Sequence, residues 1–161
     1  FNSFGPGEVP GQYRNVIPNF VYWSMQKKSL PLTGTGDETR DFTYVLDLVQ
    51  GLIKAGYYED AIGQAFNLAS GKETKIKDMI SMVNNATGNA TPITKFPPRK
   101  WDTKKRLLAS IDLAGKLIDY KPIISFDEGL KSNFDWFNNN WDKIQQAADF
   151  PVGMSSAVRK K

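Results

Sequence analysis

Three arginines stand out among the residues whose types and spacing could do chemistry. Arg40 sits beside Asp41 ahead of a β-forming run, Arg99 follows Pro97-Pro98, and Arg106 precedes a helical stretch. A guanidinium is a planar fork that meets phosphate oxygens bidentately, and two of them converging can clamp a diphosphate. Each one alone reads first as half of a surface ion pair. The acidic neighbours Asp37-Glu38, Glu59-Asp60 and Asp127-Glu128 fall at turns or helix starts, where carboxylates serve caps and helix dipoles. None of the tyrosines has a lysine four residues on, so a Tyr-x-x-x-Lys proton relay is absent from the sequence. Gly5-Pro-Gly7 and Gly34-Thr-Gly36 are Gly-rich, but neither continues to the third Gly of a dinucleotide loop or to Gly-Lys-Ser/Thr. Pro6 and Pro10 also remove amide donors that a phosphate nest needs, so both segments read as turns.

Composition narrows the chemistry further. The 161 residues contain no histidine and no cysteine, which removes thiol nucleophiles, disulfides, imidazole bases and the usual zinc ligands. The net charge is +4. Part of that excess lies in Arg159-Lys160-Lys161, leaving a nearly neutral body and no case for a nucleic-acid partner. Apolar runs fall far short of the ~20 residues a membrane helix needs. The opening Phe1-Asn2-Ser3-Phe4-Gly5 lacks an initiator Met, a basic n-region and a cleavage pattern. It reads as a chain that starts inside a fold, not as a signal peptide. Asn85-Ala-Thr87 and Asn89-Ala-Thr91 match the glycosylation sequon, but without a secretion signal they are read as unmodified. The expected location is the cytoplasm.

Positioning falls to short elements. Gly5, Pro6, Gly7, Pro10 and Gly11 make residues 3–14 a loop. Val16, Ile17, Phe20, Val21 and Trp23 suit a helix to about Lys27, with Pro18 in its first turn. Pro31-Thr33 and Asp41-Val45 read as short strands flanking the turn Gly34-Asp37. A helix follows from Leu46 to Tyr57, with Leu48, Val49, Leu52 and Ile53 on one side and Gly56 as its stop. Ala65-Ala69 reads as a brief buried strand, and Ser70 with Glu73 has capping-box spacing ahead of a helix striped by Ile76, Met79, Ile80 and Val83. Gly88 ends that helix, Ile93 to Pro97 is extended, and a further helix runs from Ser110 to Ile118. Ser125 and Glu128 cap the longest helix, whose Leu130, Phe134, Phe137, Trp141 and Ile144 form a core stripe. The expected fold class is α/β in the sense of an α+β segment, mostly helical with a few short strands. The domain spans 1–147, and 148–161 form a loose basic tail.

Several of these segments resemble, in order, the extended short-chain dehydrogenase/reductase family of nucleotide-sugar epimerases and dehydratases. Phe1-Asn2-Ser3-Phe4-Gly5-Pro6-Gly7 is similar to the family's F-N-x-Y/F-G-P-x segment. Asn15-Val-Ile-Pro18-Asn-Phe20 resembles the helix that opens the nucleotide pocket. Leu32 to Asp47, with Gly34-Thr-Gly36 and Arg40-Asp-Phe42, resembles G-x-G-x-x-x-R-D-F/Y-x-x-V-x-D. Ala65 to Gly71, Ser110 to Ala114, Leu117 to Pro122 and Phe126 to Leu130 follow with the expected spacings. The likeness covers residues 1 to about 145.

The resemblance implies the C-terminal, substrate-holding half of such an enzyme, lacking the N-terminal dinucleotide-binding fold with its glycine-rich loop and Tyr-x-x-x-Lys pair. It implies that Asn2 hydrogen-bonds substrate phosphate or sugar, that Asn15 and the Val16 backbone line the nucleotide, and that Pro31 and Thr33 border the base. Arg40 and Arg99 would clamp the diphosphate and Asp102 would accept a ribose hydroxyl, while Trp101 would stack on substrate or cover the core. NAD(P) is implied for the full-length enzyme, with no cofactor held by this segment alone. The implied partner is a nucleotide-sugar, a UDP-sugar foremost. The implied activity belongs to the full enzyme and not to the segment by itself. A non-catalytic nucleotide-sugar-binding or protein-interaction module of the same descent is the alternative. The face that would pack on the other half is expected to be apolar and to favour self-association.

Overall fold

The computed structural model describes residues 2–12, 14–98 and 103–150, and it is mixed α/β. Along the chain come β1 (Asn2–Phe4), α1 (Val16–Met25), β2 (Pro31–Thr33), β3 (Thr39–Arg40), β4 (Phe42–Tyr44) and α2 (Val45–Tyr57). A single 3₁₀ turn at Glu59–Ala61 precedes β5 (Thr74–Lys75), α3 (Ile76–Thr87), β6 (Thr94–Phe96) and β7 (Arg106–Leu107). The chain then becomes helical, with α4 (Asp112–Ile118), α5 (Phe126–Asn139) and α6 (Trp141–Ala147).

The strands assemble into three small sheets among the described residues. β1 lies parallel to β4, with Asn2 opposite Phe42, and β2 lies parallel to β6, with Pro31 opposite Thr94. In the third sheet β3 is central: Thr39 faces Lys75 of antiparallel β5 on one side and Arg106 of parallel β7 on the other.

Helices α1, α3 and α5 cover these sheets for reasons written in their periodicity. Ile17, Phe20, Val21 and Ser24 bury one face of α1, and Met79, Ile80 and Val83 do the same for α3. Gly88 ends α3 in the left-handed region at φ 61°, where a side chain is disfavoured and glycine is not. Ser125 and Glu128 form the expected capping box on α5. Leu130 and Phe137 on α5 and Ile144 on α6 are buried, with Phe134 and Trp141 packed against them. One core of Phe4, Phe20, Trp23, Leu32, Phe42 and Phe137 joins the three helices to β1, β2 and β4. A smaller cluster gathers Ala114, Ile118 and Tyr120 against Phe66 and Leu68, and the Tyr120 hydroxyl donates to the Ala69 carbonyl at 3.0 Å.

Five expectations about elements are corrected. Ser3 and Phe4 belong to β1, because pairing with β4 outweighs the Gly/Pro signal that begins at Gly5. Ala65–Ala69 is not a strand; among the described residues no strand pairs with it, and it is held instead by Ser70, Asn67 and Tyr120 bonds. Ser70 and Glu73 do not cap α3, whose N-cap is Lys75; both are used elsewhere. α2 runs through Gly56 to Tyr57. The last stripe is divided by a break at Asn140, whose side-chain amide donates back to the Trp136 carbonyl at 2.9 Å.

Candidate functional site

The surroundings of Arg40 are built from chain segments far apart in sequence. Arg40 ends β3, and its Nη1 donates to its neighbour Thr39's carbonyl at 2.8 Å and to the Lys104 carbonyl at 3.0 Å. The Thr39 amide donates to the Lys105 carbonyl at 2.9 Å. The segment that follows Arg99 and Asp102 therefore runs beside the strand carrying Arg40. Arg99, Trp101 and Asp102 themselves lie outside the described residues.

A bidentate pair secures this edge. Arg106 donates from Nε and Nη2 to the two Glu73 oxygens at 2.8 and 2.9 Å, and the Thr39 hydroxyl donates to Glu73 Oε1 at 2.6 Å. The Arg106 guanidinium, with the Thr39 hydroxyl, holds the Glu73 carboxyl below its ordinary range. One carboxylate thus ties β3 and β7 to the residue just before β5.

Asp41, next to Arg40, is fully buried and anchors three loops. Its Oδ1 accepts from the Ser70 hydroxyl at 2.5 Å and the Ser70 amide at 2.9 Å, and its Oδ2 accepts from the Gly71 amide at 3.0 Å and the Ala109 amide at 3.4 Å. Its carbonyl takes both the backbone and the side-chain amide of Asn2, each at 3.2 Å. Asn2 is thereby fixed one residue away from Arg40 on the neighbouring strand.

The far end of β1 opens into a cleft of about 380 Å³ lined by Ser3 to Val9, Arg14, Asn15 and Val45. Asn15 is the N-cap position of α1, but its side chain makes no cap bond. It turns to Glu8 instead, donating from Nδ2 to Oε1 at 2.9 Å. Burial pushes the Glu8 carboxyl above its ordinary value, and the Asn15 hydrogen bonds and Arg14 pull it part of the way back. Val16 is half-buried beside this cleft. Pro31 and Thr33 stand on β2, with Pro31 buried and Thr33 half-buried. The site residues therefore form two described groups, Asn2 with Arg40 and Asn15 with Val16, linked by β1.

The Gly34–Gly36 turn offers no nest for a dinucleotide pyrophosphate. The Glu38 carboxylate already takes the Gly36 amide at 2.8 Å and the Thr35 amide at 3.5 Å. No group of three or more acidic residues among the described ones is arranged to hold a metal ion. No described helix is long and apolar enough to cross a membrane. Reading from sequence missed Glu8, which stands as an isolated charge among Gly and Pro, and mistook the role of Glu73. A capping spacing cannot be told from a cross-strand ion pair without the partner Arg106, 33 residues on.

Comparison with known proteins bears on what this arrangement is for. Residues 1–69 match the model of the NAD dependent epimerase/dehydratase family. An epimerase from the methanogen Methanothermobacter thermautotrophicus is 52% identical, with a TM-score of 0.91 over 93% of this chain and 45% of that one. The chain is similar to members of that family. The chain is also similar to the Bordetella bronchiseptica enzyme WbmF, solved in complex with NAD+ and UDP: 34% identity and a TM-score of 0.79 over 91% of this chain and 46% of that one. A further likeness is to a UDP-N-acetyl-alpha-D-glucosaminuronate decarboxylase of Bacillus cytotoxicus, 29% identical over 142 residues, 85% of this chain and 44% of that protein. The chain spans less than half the length of each of these proteins.

Proposed function

We propose that the chain is the C-terminal, substrate-binding half of an NAD(P)-dependent nucleotide-sugar epimerase or dehydratase, with a UDP-sugar as its ligand. The observation that carries this reading is the pairing of β3 with β7, which sets the Arg40 strand against the segment following Arg99 and Asp102. Two planar guanidiniums converging on a diphosphate would match its charge and take its oxygens bidentately. Asn2 would donate its amide to a phosphate or sugar oxygen, and Asp102 would accept a ribose hydroxyl. Asn15 and the Val16 backbone would line the nucleotide, with Pro31 and Thr33 bordering the base.

In that role the chain supplies binding energy and orientation. When bound to the full-length enzyme, NAD(P) supplies hydride transfer to and from the sugar. The Gly34–Asp37 turn, closed by Glu38, does not fit the cofactor's pyrophosphate, so no step here runs through it. Calorimetric titration of the chain with UDP tests the reading. Arg40→Ala is expected to weaken binding by about tenfold or more, because a charge-assisted phosphate contact is lost. Equal binding by the variant and the parent would remove Arg40 from the site. Incubated with UDP-sugars and NAD, the chain alone should give no product above a protein-free blank; measurable epimer would sink the division of labour.

The outer face of α2 bears on partners. Leu46, Leu52 and Ile53 are 60%, 58% and 67% exposed, with Val49 and Tyr57 beside them. A stripe of this kind on a helix is what an interface leaves behind when its partner is absent. We assign it to packing on the dinucleotide-binding half and, failing that, to self-association. Sedimentation velocity should show a concentration-dependent shift that Ile53→Lys abolishes; a monomer at all concentrations would contradict the self-association.

A further inference from the structure

Arg106 is the third arginine whose chemistry suits a phosphate, and the reading above leaves it unused. The structure commits it elsewhere. Its Nε and Nη2 donate to the two oxygens of Glu73 at 2.8 and 2.9 Å, so the edge of the fork that would take a phosphate bidentately is taken by a carboxylate. Glu73 Oε1 also accepts from the Thr39 hydroxyl at 2.6 Å. Glu73 leads into β5, Thr39 lies on β3 and Arg106 on β7. One carboxylate at the start of β5 therefore grips both other strands of that sheet.

Each of those strands is only two residues long. Backbone pairing over two residues is a weak hold, since short isolated ribbons are marginal in water. What this pairing must hold is Arg40. Its Nη1 donates to the Thr39 carbonyl at 2.8 Å and to the Lys104 carbonyl at 3.0 Å. The second acceptor belongs to the chain running into β7, next to Lys105, whose carbonyl takes the Thr39 amide at 2.9 Å. The direction of the Arg40 guanidinium therefore depends on β7 staying against β3. Register puts Thr39 opposite Arg106, so the ion pair spans that junction. An arginine left to sample rotamers must be ordered by its ligand, which costs about three- to tenfold in affinity.

Resting on the nucleotide-sugar reading, we propose that Glu73 and Arg106 are positioning residues for that site: they touch no ligand, and they set the Arg40 guanidinium in place before the diphosphate arrives. The Arg106 side chain is 67% exposed, so the pair adds little to global stability. Its effect on affinity is therefore separable from its effect on unfolding.

Calorimetric titration with UDP, applied to Glu73→Gln and Arg40→Ala alone and together, tests this. Glu73→Gln keeps the side-chain length and removes the charge that holds the fork. It is expected to weaken UDP binding about three- to tenfold, while the urea midpoint stays close to the parent's. In the Arg40→Ala background the same substitution should change the affinity by less than about twofold, because residues that act as one unit are not additive. Arg106→Lys keeps the charge but not the fork, and should lose affinity as Glu73→Gln does. Hydrogen exchange at the Thr39 amide reads the β3–β7 junction directly; it should quicken in both variants while the amides inside α5 are unchanged. Parent-like affinity or parent-like Thr39 exchange in either variant overturns the positioning role. An equal loss from Glu73→Gln with and without Arg40 also overturns it, since Glu73 would then act other than through Arg40. Those outcomes leave the nucleotide-sugar reading standing so long as the parent binds UDP and Arg40→Ala weakens it. If UDP fails to bind the parent, that reading falls and takes this inference with it.

Discussion

Asp41→Ala should lower the unfolding free energy by about 3–5 kcal/mol, because several buried donors lose their shared acceptor at once. The side chain is fully buried and accepts from the Ser70 hydroxyl and the Ser70, Gly71 and Ala109 amides. Alanine leaves those donors without an acceptor, and an unsatisfied buried donor costs about 1–3 kcal/mol. Water entering the vacated space recovers part of that loss, which keeps the sum below simple addition. Asp41→Asn retains one acceptor oxygen and should cost about half as much. Urea unfolding followed by circular dichroism measures both, and an unchanged midpoint for Asp41→Ala would contradict the role assigned to this residue. The site should fail with the fold: the Asp41 backbone holds Asn2, and Arg40 is its neighbour, so loss of UDP binding is expected to track loss of stability.

Gly129→Val should destabilise by about 3 kcal/mol, at the upper end for overpacking a core. Gly129 lies inside α5, where a side chain ordinarily stabilises a helix relative to glycine by up to about 1 kcal/mol. Here the first added carbon already meets Tyr44 Cδ2 at 2.7 Å and Phe4 Cζ at 2.9 Å. Neither ring can withdraw easily. Phe4 packs on Tyr44 and Phe126 at centroid distances of 5.8 and 5.1 Å, and the Tyr44 hydroxyl is bonded to the Ser132 hydroxyl at 2.8 Å. Valine adds two methyls on a stiff χ1 to that first carbon, and Gly129→Ala should cost about half as much. Thermal unfolding of the two variants decides it; a variant as stable as the parent would mean that α5 can move away from β1 and β4.

The helices were the most legible part of the sequence, because burial on one face repeats every 3.6 residues in α1, α3 and α5. Gly88 and the Ser125–Glu128 box marked two ends correctly for local reasons. What failed was non-local. The Ala65–Ala69 segment has strand composition, but a strand needs a pairing partner, and this segment spends its bonds on Ser110 and Tyr120. The same applies to Glu73, whose partner Arg106 lies beyond the reach of a window along the chain. In α2 the apolar stripe was visible, but its facing outward was not, since periodicity says which residues share a face and not what covers it. Arg40 could be singled out by its chemistry as a candidate, whereas the Glu8–Asn15 pair could not, because only folding brings Asn15 onto Glu8.

The three sheets share a property with a consequence for how the molecule comes into being. Each joins pieces of chain tens of residues apart: β1 to β4, β2 to β6, and β3 to β7. Contacts of such long sequence separation form late and slowly, after local helices have condensed. During synthesis the Arg40 strand cannot complete its sheet until Leu107 has left the ribosome, and Asp41 waits for Ala109. In the proposed nucleotide-sugar role, a ligand could therefore act on folding only after Leu107 has been made.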